Sequence, residues 1–243
     1  MSQKQKIEDR VFEPLLAGDL NERFFKAVHD KPPLFYDVLK TGLAFLQGNF
    51  GSTPVPYEIV LLHGTNVDNR CLEQMMALQD QVAVYAAPHP DNVIDYKTSD
   101  DVIDHFAQDG LGLAVLTADG MLIGQVLLSF KQPLDQAPNQ HEQLNVGWVM
   151  VDPLYAGNKL FETMVGLAGQ MAQGSEMAQV KACVRMHNTK ALRRFEQAGF
   201  SAMGIGENVK DGSPNIQMIK PVSQTDVNIR HQQGSAKRQT MGI

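Results

Sequence analysis

Cysteine is scarce in this chain: only Cys71 and Cys183 occur among 243 residues, and they lie far apart. Two thiols are too few for a disulfide framework, so both read as reduced thiols in an intracellular setting. No stretch reaches the roughly 20 apolar residues that span a bilayer. The opening residues, Met1 to Arg10, are polar where a secretory leader would be apolar. Both features make the cytoplasm the expected location, with no membrane partner. A basic excess is also missing: 21 Lys and Arg stand against 27 Asp and Glu, a formal charge of -6. Basic faces supply most of the affinity for nucleic acid, so nucleic acid is not an expected partner. No His or Cys spacing suggests a metal site, and neither a Gly-x-Ser-x-Gly elbow nor a phosphate-binding P-loop is present. No internal repeat is visible.

What remains is ordinary globular material, 43% hydrophobic and 20% charged, enough for one domain with additions at its ends. The chain reads in three parts. Residues 1–55 form a helical extension and linker. Leu15, Leu16, Leu20, Phe24 and Val28 recur at helical spacing, and Phe35, Val38, Leu39, Leu43 and Leu46 make a second set after Lys31-Pro32-Pro33. Gln47 to Pro54 is rich in residues that end regular structure. Residues 223–243 are polar and aperiodic, with Arg230, Lys237 and Arg238 against Asp226, and read as a disordered tail.

The middle part, residues 56–222, alternates strand and helix signals. Tyr57 to Leu62 reads as a strand, Asn69 to Leu78 as a helix and Gln81 to Ala87 as a strand. Asn92 to Gln108 is acidic, with helical character around Val102, Ile103 and Phe106. Leu111 to Thr117 and Met121 to Phe130 are strands joined by Ala118-Asp119-Gly120, a tight-turn signal. Leu144 to Val151 is a further strand. Leu160, Phe161, Met164, Val165, Ala168 and Met171 then share a helix face. Val180, Ala182 and Val184 alternate with Lys181, Cys183 and Arg185 as a strand does. A helix capped by Asn188 or Thr189 and ended by Gly199 follows, and Ser201 to Val209 and Ile216 to Lys220 are the last strands. The order predicts an α/β (α+β) domain with a mixed sheet and helices on its faces.

Two segments carry a family resemblance. Val149-Met150-Val151-Asp152-Pro153-Leu154-Tyr155-Ala156-Gly157-Asn158-Lys159-Leu160-Phe161 resembles the strand, Val-x-Pro turn, pyrophosphate loop and helix start of the GNAT superfamily of N-acetyltransferases. Asn188-Thr189-Lys190-Ala191-Leu192-Arg193-Arg194-Phe195-Glu196-Gln197-Ala198-Gly199-Phe200 resembles its Asn-x-x-Ala-x-x-x-Tyr-x-x-x-Gly-Phe. The resemblance implies a mostly antiparallel GNAT sheet flanked by helices. It also implies acetyl-CoA or another acyl-CoA as co-substrate, no metal, and an amine acceptor that is a small molecule or a peptide.

By the same resemblance the pantetheine arm runs along Val149, Met150 and Val151, and the pyrophosphate meets Gly157, Asn158, Lys159, Leu160 and Phe161. Asn188 and Phe195 complete the cofactor set. A loop leading into a helix presents unpaired N–H groups at the positive end of the helix dipole, which suits phosphate. The chain departs from the family's Arg/Gln-x-x-Gly-x-Gly/Ala at Ala156, Lys159 and Phe161. Phe195 stands where many members place a Tyr that protonates the leaving thiolate, and a phenyl ring has no proton to give. Tyr155 or a water is then the candidate acid. Candidate bases are Glu142, His141, Asp152, His187 and Glu207, with Glu142 and His141 preferred because they precede the central strand. Trp148 is either buried on the sheet or lines the acceptor side, and Cys183 reads as an inert strand residue. The alternative function is a GNAT-fold acyl-CoA-binding or protein-interaction module without catalysis. A homodimer stays open, as does a docking role for the N-terminal helices.

Overall fold

The computed structural model describes residues 44–46, 55–63, 67–89, 94–108, 110–131, 143–174, 177–208 and 211–222. Eight strands form one sheet: β1 (Ala44–Leu46), β2 (Val55–His63), β3 (Leu111–Thr117), β4 (Leu122–Lys131), β5 (Gln143–Val151), β6 (Gln179–Arg185), β7 (Ser201–Glu207) and β8 (Pro214–Pro221). The helices are α1 (Asn69–Ala86), α2 (Ser99–Ala107), α3 (Leu160–Gly174) and α4 (Thr189–Gln197), with a short 3-10 turn at Pro153–Tyr155. The strand order is β1-β2-β3-β4-β5-β6-β8-β7. Every neighbouring pair is antiparallel except β5 and β6. The expected mixed, mostly antiparallel sheet is what forms.

Alternation on the strands sorts side chains to two cores. Ile59 and Leu61 face one side with Leu113, Val115, Val126 and Leu128, and there they meet α3 and the Phe195 end of α4. Val60 and Leu62 face the other with Ala114, Leu116 and Leu127, against Met75 and Leu78 of α1 and Val102 and Phe106 of α2. β3 is buried along its whole length because helices cover both its faces, which is why it reads as an unbroken apolar run.

The short elements end where the sequence signals. Asp68 caps α1 through a bond from the Cys71 N–H. Thr98 and Asp101 close a capping box on α2. Asn188 caps α4, and its side-chain oxygen accepts from the Ala191 N–H at 3.0 Å.

Two expectations are corrected. Gln81 to Ala87 is not a strand; α1 continues through it to Ala86. Its β-branched residues suggested otherwise, but Val82 continues the stripe of Met75 and Leu78 onto the same core, and packing overrides local propensity. Leu46, assigned by spacing to a second N-terminal helix, lies in β1, where Ala44–Leu46 pairs with Val55–Tyr57. The rest of the helical extension and linker, and the tail at 223–243, lie outside the described residues.

Candidate active site

β5 and β6 run side by side only from Gln143↔Gln179 to Val146↔Ala182. Beyond Val146 they part. The cause is a bulge: β4 pairs Leu127 with Gly147 but Gln125 with Met150, so β5 spends three steps where β4 takes two. Trp148 sits in this bulge at φ +50°. A left-handed conformation costs a bulky residue about 1–2 kcal/mol, so its surroundings must hold it. Its indole N–H donates to the Gln79 side-chain oxygen at 3.0 Å, and such a bond is worth about 0.5–1.5 kcal/mol. The two ranges overlap, so the bond offsets much of the backbone strain and packing supplies the remainder.

The parting strands open a cleft of about 680 Å³. Val149, Met150 and Val151 line it from β5, and Val184 and Arg185 from β6. The edge of β5 beyond Val146 has no strand beside it among the described residues, and its peptide groups are placed to pair with the amides of an extended ligand.

At one end stands the loop into α3. Gly157 and Lys159 have φ of +89° and +57°. A side-chain carbon at Gly157 meets nothing within 4 Å, so it is the backbone conformation, not space, that requires glycine there. Gly157, Lys159, Leu160 and Phe161 all line the cleft at the N-terminus of α3. Asn158 does not: its amide donates to the Tyr155 carbonyl at 3.0 Å and ties the loop to the preceding turn. Lys190 and Arg194 of α4 add cations to the same wall. Arg194 lies over the Phe161 ring at 5.6 Å and Lys190 over the Tyr85 ring at 5.4 Å. Burial, and then the charge of Arg194, lowers the Lys190 pKa. Phe195 is 4% exposed and packs edge-on between Phe161 and Phe200, with centroids 5.0 and 5.1 Å away. It is a core residue whose ring also reaches the cleft.

Tyr155 ends the 3-10 turn and lines the cleft. Burial, followed by the charges of Asp152 and Asp119, raises its pKa above that of an ordinary phenol. It therefore keeps its proton at neutral pH and suits an acid, not a base. Asp152 caps this turn, accepting from the Leu154 N–H at 2.9 Å, and burial raises its pKa despite that bond.

Trp148, Tyr85, Ile94, Asp95, Lys97, Arg185 and Glu207 also line the cleft. Arg185 bridges Asp95 at 2.8 Å and Asp211 at 2.7 Å, tying the segment before α2 to the β7–β8 turn. Hydrogen bonds from Ser213 and Arg185 hold the Asp211 carboxyl at about 2.

Of the residues expected from sequence, Val149, Met150, Val151, Tyr155, Gly157, Lys159, Leu160, Phe161, Asn188 and Phe195 converge on one cleft. Glu142 and His141 lie outside the described residues. Among the remaining base candidates only Glu207 reaches the wall; Asp152 is committed to its turn and His187 lies elsewhere on the surface. Trp148 both packs on the second core and lines the cleft. Cys183 is exposed on the wall, not tucked away. Sequence reasoning passed over Lys190 and Arg194, although their i, i+4 spacing puts both on one helix face. Tyr85 and Gln79 were hidden by the strand assignment and by the absence of any motif.

A splayed mixed sheet, bulged on the strand that leads to a helix N-terminus, is the architecture of the GNAT fold. No family model matches the sequence, and no curated protein does. Solved structures do match. The NatC complex bound to Gag peptide and CoA aligns at TM-score 0.50 and 14% identity, over 68% of this chain and 99% of that one. An N-acetyltransferase from Staphylococcus aureus aligns at TM-score 0.51 and 11% identity, over 68% and 97%. Arabidopsis thaliana NAA60 in complex with acetyl-CoA aligns at TM-score 0.50 and 12% identity, over 68% and 98%. The chain has the GNAT fold.

Proposed function

We propose that this protein is an acyl-CoA-dependent N-acyltransferase acting on an amine of a small molecule or peptide. One observation carries the reading. The cleft opened by the bulge at Trp148 joins an unpaired strand edge, suited to the pantetheine amides, to a helix N-terminus flanked by Lys159 and Arg194, suited to phosphates. The neighbours crystallised with CoA or acetyl-CoA support the same co-substrate.

An acyl-CoA supplies a thioester whose carbonyl an amine attacks directly. The chain's part is to hold that carbonyl against a backbone N–H of Val149 to Val151, which polarises it. A carboxylate takes the amine's proton: Glu207 shares the wall with Asp95, which is paired with Arg185, and with Glu162 at the start of α3; it is one candidate, and Glu142, just before β5, is the other. Tyr155 is the proton donor to the departing thiolate, since its raised pKa keeps it protonated and Phe195 has no proton to give. A second reading, an acyl-CoA-binding module without turnover, draws on Phe195 and on the departures at Ala156, Lys159 and Phe161.

The test is calorimetric titration of the purified protein with acetyl-CoA and with CoA, beside a Gly157→Trp variant, followed by an amine screen that reads thiol release. Binding that is lost in the variant, with turnover on any amine, is the expected result. Binding without turnover on any amine moves the protein to the second reading, and no binding by the wild type refutes both.

A further inference from the structure

We propose that Gln79 is a positioning residue for this cleft, holding the Trp148 indole and the Lys97 backbone where they form its wall. The proposal rests on the acyl-CoA reading above and adds a residue that no sequence motif marks. Gln79 lies on α1, is 2% exposed, and is not itself part of the wall. It acts through two residues that are.

Its partners identify its atoms. The indole N–H and the Lys97 N–H are donors only, so the atom at 3.0 and 2.8 Å from them is the amide oxygen. The amide nitrogen then donates to the Lys97 carbonyl at 3.0 Å. By pairing with both backbone groups of one residue, the glutamine copies a strand neighbour and fixes the segment before α2. The indole arrives at the same oxygen. Movement of that segment and movement of the bulge therefore break a shared set of bonds.

Trp148 is the place where this matters. It is the left-handed residue of the bulge, two positions beyond the last β5–β6 pair at Val146↔Ala182. Its conformation sets the direction in which the free edge of β5 leaves β6, and that edge is the proposed seat of the co-substrate. An indole released from Gln79 lets the backbone relax toward negative φ and turns the peptide groups of Val149 to Val151 out of register. Gln79 thus holds the geometry of a site it does not touch.

Trp148 is the chain's single tryptophan, so fluorescence excited at the red edge, where tyrosine does not absorb, reports on this residue alone. Replacing Gln79→Leu is expected to shift the emission to the red and to increase acrylamide quenching. Acetyl-CoA affinity by calorimetry is expected to fall about tenfold, the equivalent of one ordinary hydrogen bond. Trp148→Phe keeps a ring without the N–H and is expected to lose affinity to a similar degree. The double variant should lose less affinity than the sum of the two single losses, because the indole bond they share is lost only once. Unchanged emission in Gln79→Leu overturns the proposal. So does shifted emission with unchanged affinity, which reduces Gln79 to a structural role, and so does a double variant whose losses simply add. Should Gln79→Leu fail to fold, undiminished affinity in Trp148→Phe overturns it. Failure of the wild type to bind acetyl-CoA is a separate result, seen before any variant is compared; it removes the acyl-CoA reading and this proposal with it.

Discussion

Gly157 and Gly199 form a matched pair, with φ of +89° and +88°. A side-chain carbon at Gly157 meets nothing within 4 Å, and one at Gly199 meets only the Lys220 side chain from 3.7 Å, an ordinary contact. Alanine at either position therefore costs backbone strain and little else, about 1–2 kcal/mol in each case. For a domain of this size that lowers Tm by about 2–8 °C. The two sites differ in place: Gly157 lines the cleft at the start of α3, and Gly199 follows α4 away from it. If the loop N–H groups bind a pyrophosphate, Gly157→Ala misaims at least one charge-assisted hydrogen bond. Such a bond is worth about 1.5–3 kcal/mol, or roughly 10- to 100-fold in affinity. Gly199→Ala should leave affinity within about twofold. Thermal melts and calorimetric titration with acetyl-CoA read both numbers on the same samples. Equal loss of affinity in the two variants, or none in Gly157→Ala, refutes the placement of phosphate at this loop.

Three further outcomes are expected. Burial raises the Asp152 pKa, so its contribution to stability is full below the unfolded value near 3.8 and is lost as pH rises through the higher folded value. Asp152→Asn, which keeps an oxygen for the Leu154 N–H, should therefore raise Tm at pH 7.5 and lose that gain at pH 3.5; a lower Tm at pH 7.5 would show that the charged bond outweighs burial. His105 runs the other way: burial lowers its pKa from 6.5, so stability present above pH 6.5 declines as pH falls toward the folded value, and denaturant titration of His105→Asn should flatten that decline. Reversing charge with Lys190→Glu and Arg194→Glu together should weaken acetyl-CoA more at 50 mM salt than at 500 mM, since both cations line the cleft; equal weakening at both would argue for a packing effect.

Much of the fold is legible because its signals are local. The Asp119-Gly120 turn, the Asn188 cap and the alternation of Val180, Ala182 and Val184 each depend on neighbours within a few residues, and each appears where the sequence puts it. The loop at Gly157 is legible for the same reason, since a left-handed residue before a helix leaves a glycine. Where local preference and burial disagree the reading fails, as in the second half of α1, where Val82 obeys the core and not its β-branched propensity. The cleft itself is a tertiary property. Its opening depends on register, on β5 taking three steps against two of β4, and nothing in Gly147-Trp148-Val149 announces an extra residue until β4 lies beside it. The rest of its wall depends on distance closed by folding. Gln79 meets Trp148 across 69 positions, and Arg185 meets Asp95 across 90. Sequence alone determined most of the elements, the glycine turn before α3 and the class of fold, because those are set by short-range sterics and periodicity. Only the tertiary structure decided where the sheet splits and which side chains hold it open, because pairing register and long-range hydrogen bonds exist only once the chain has packed.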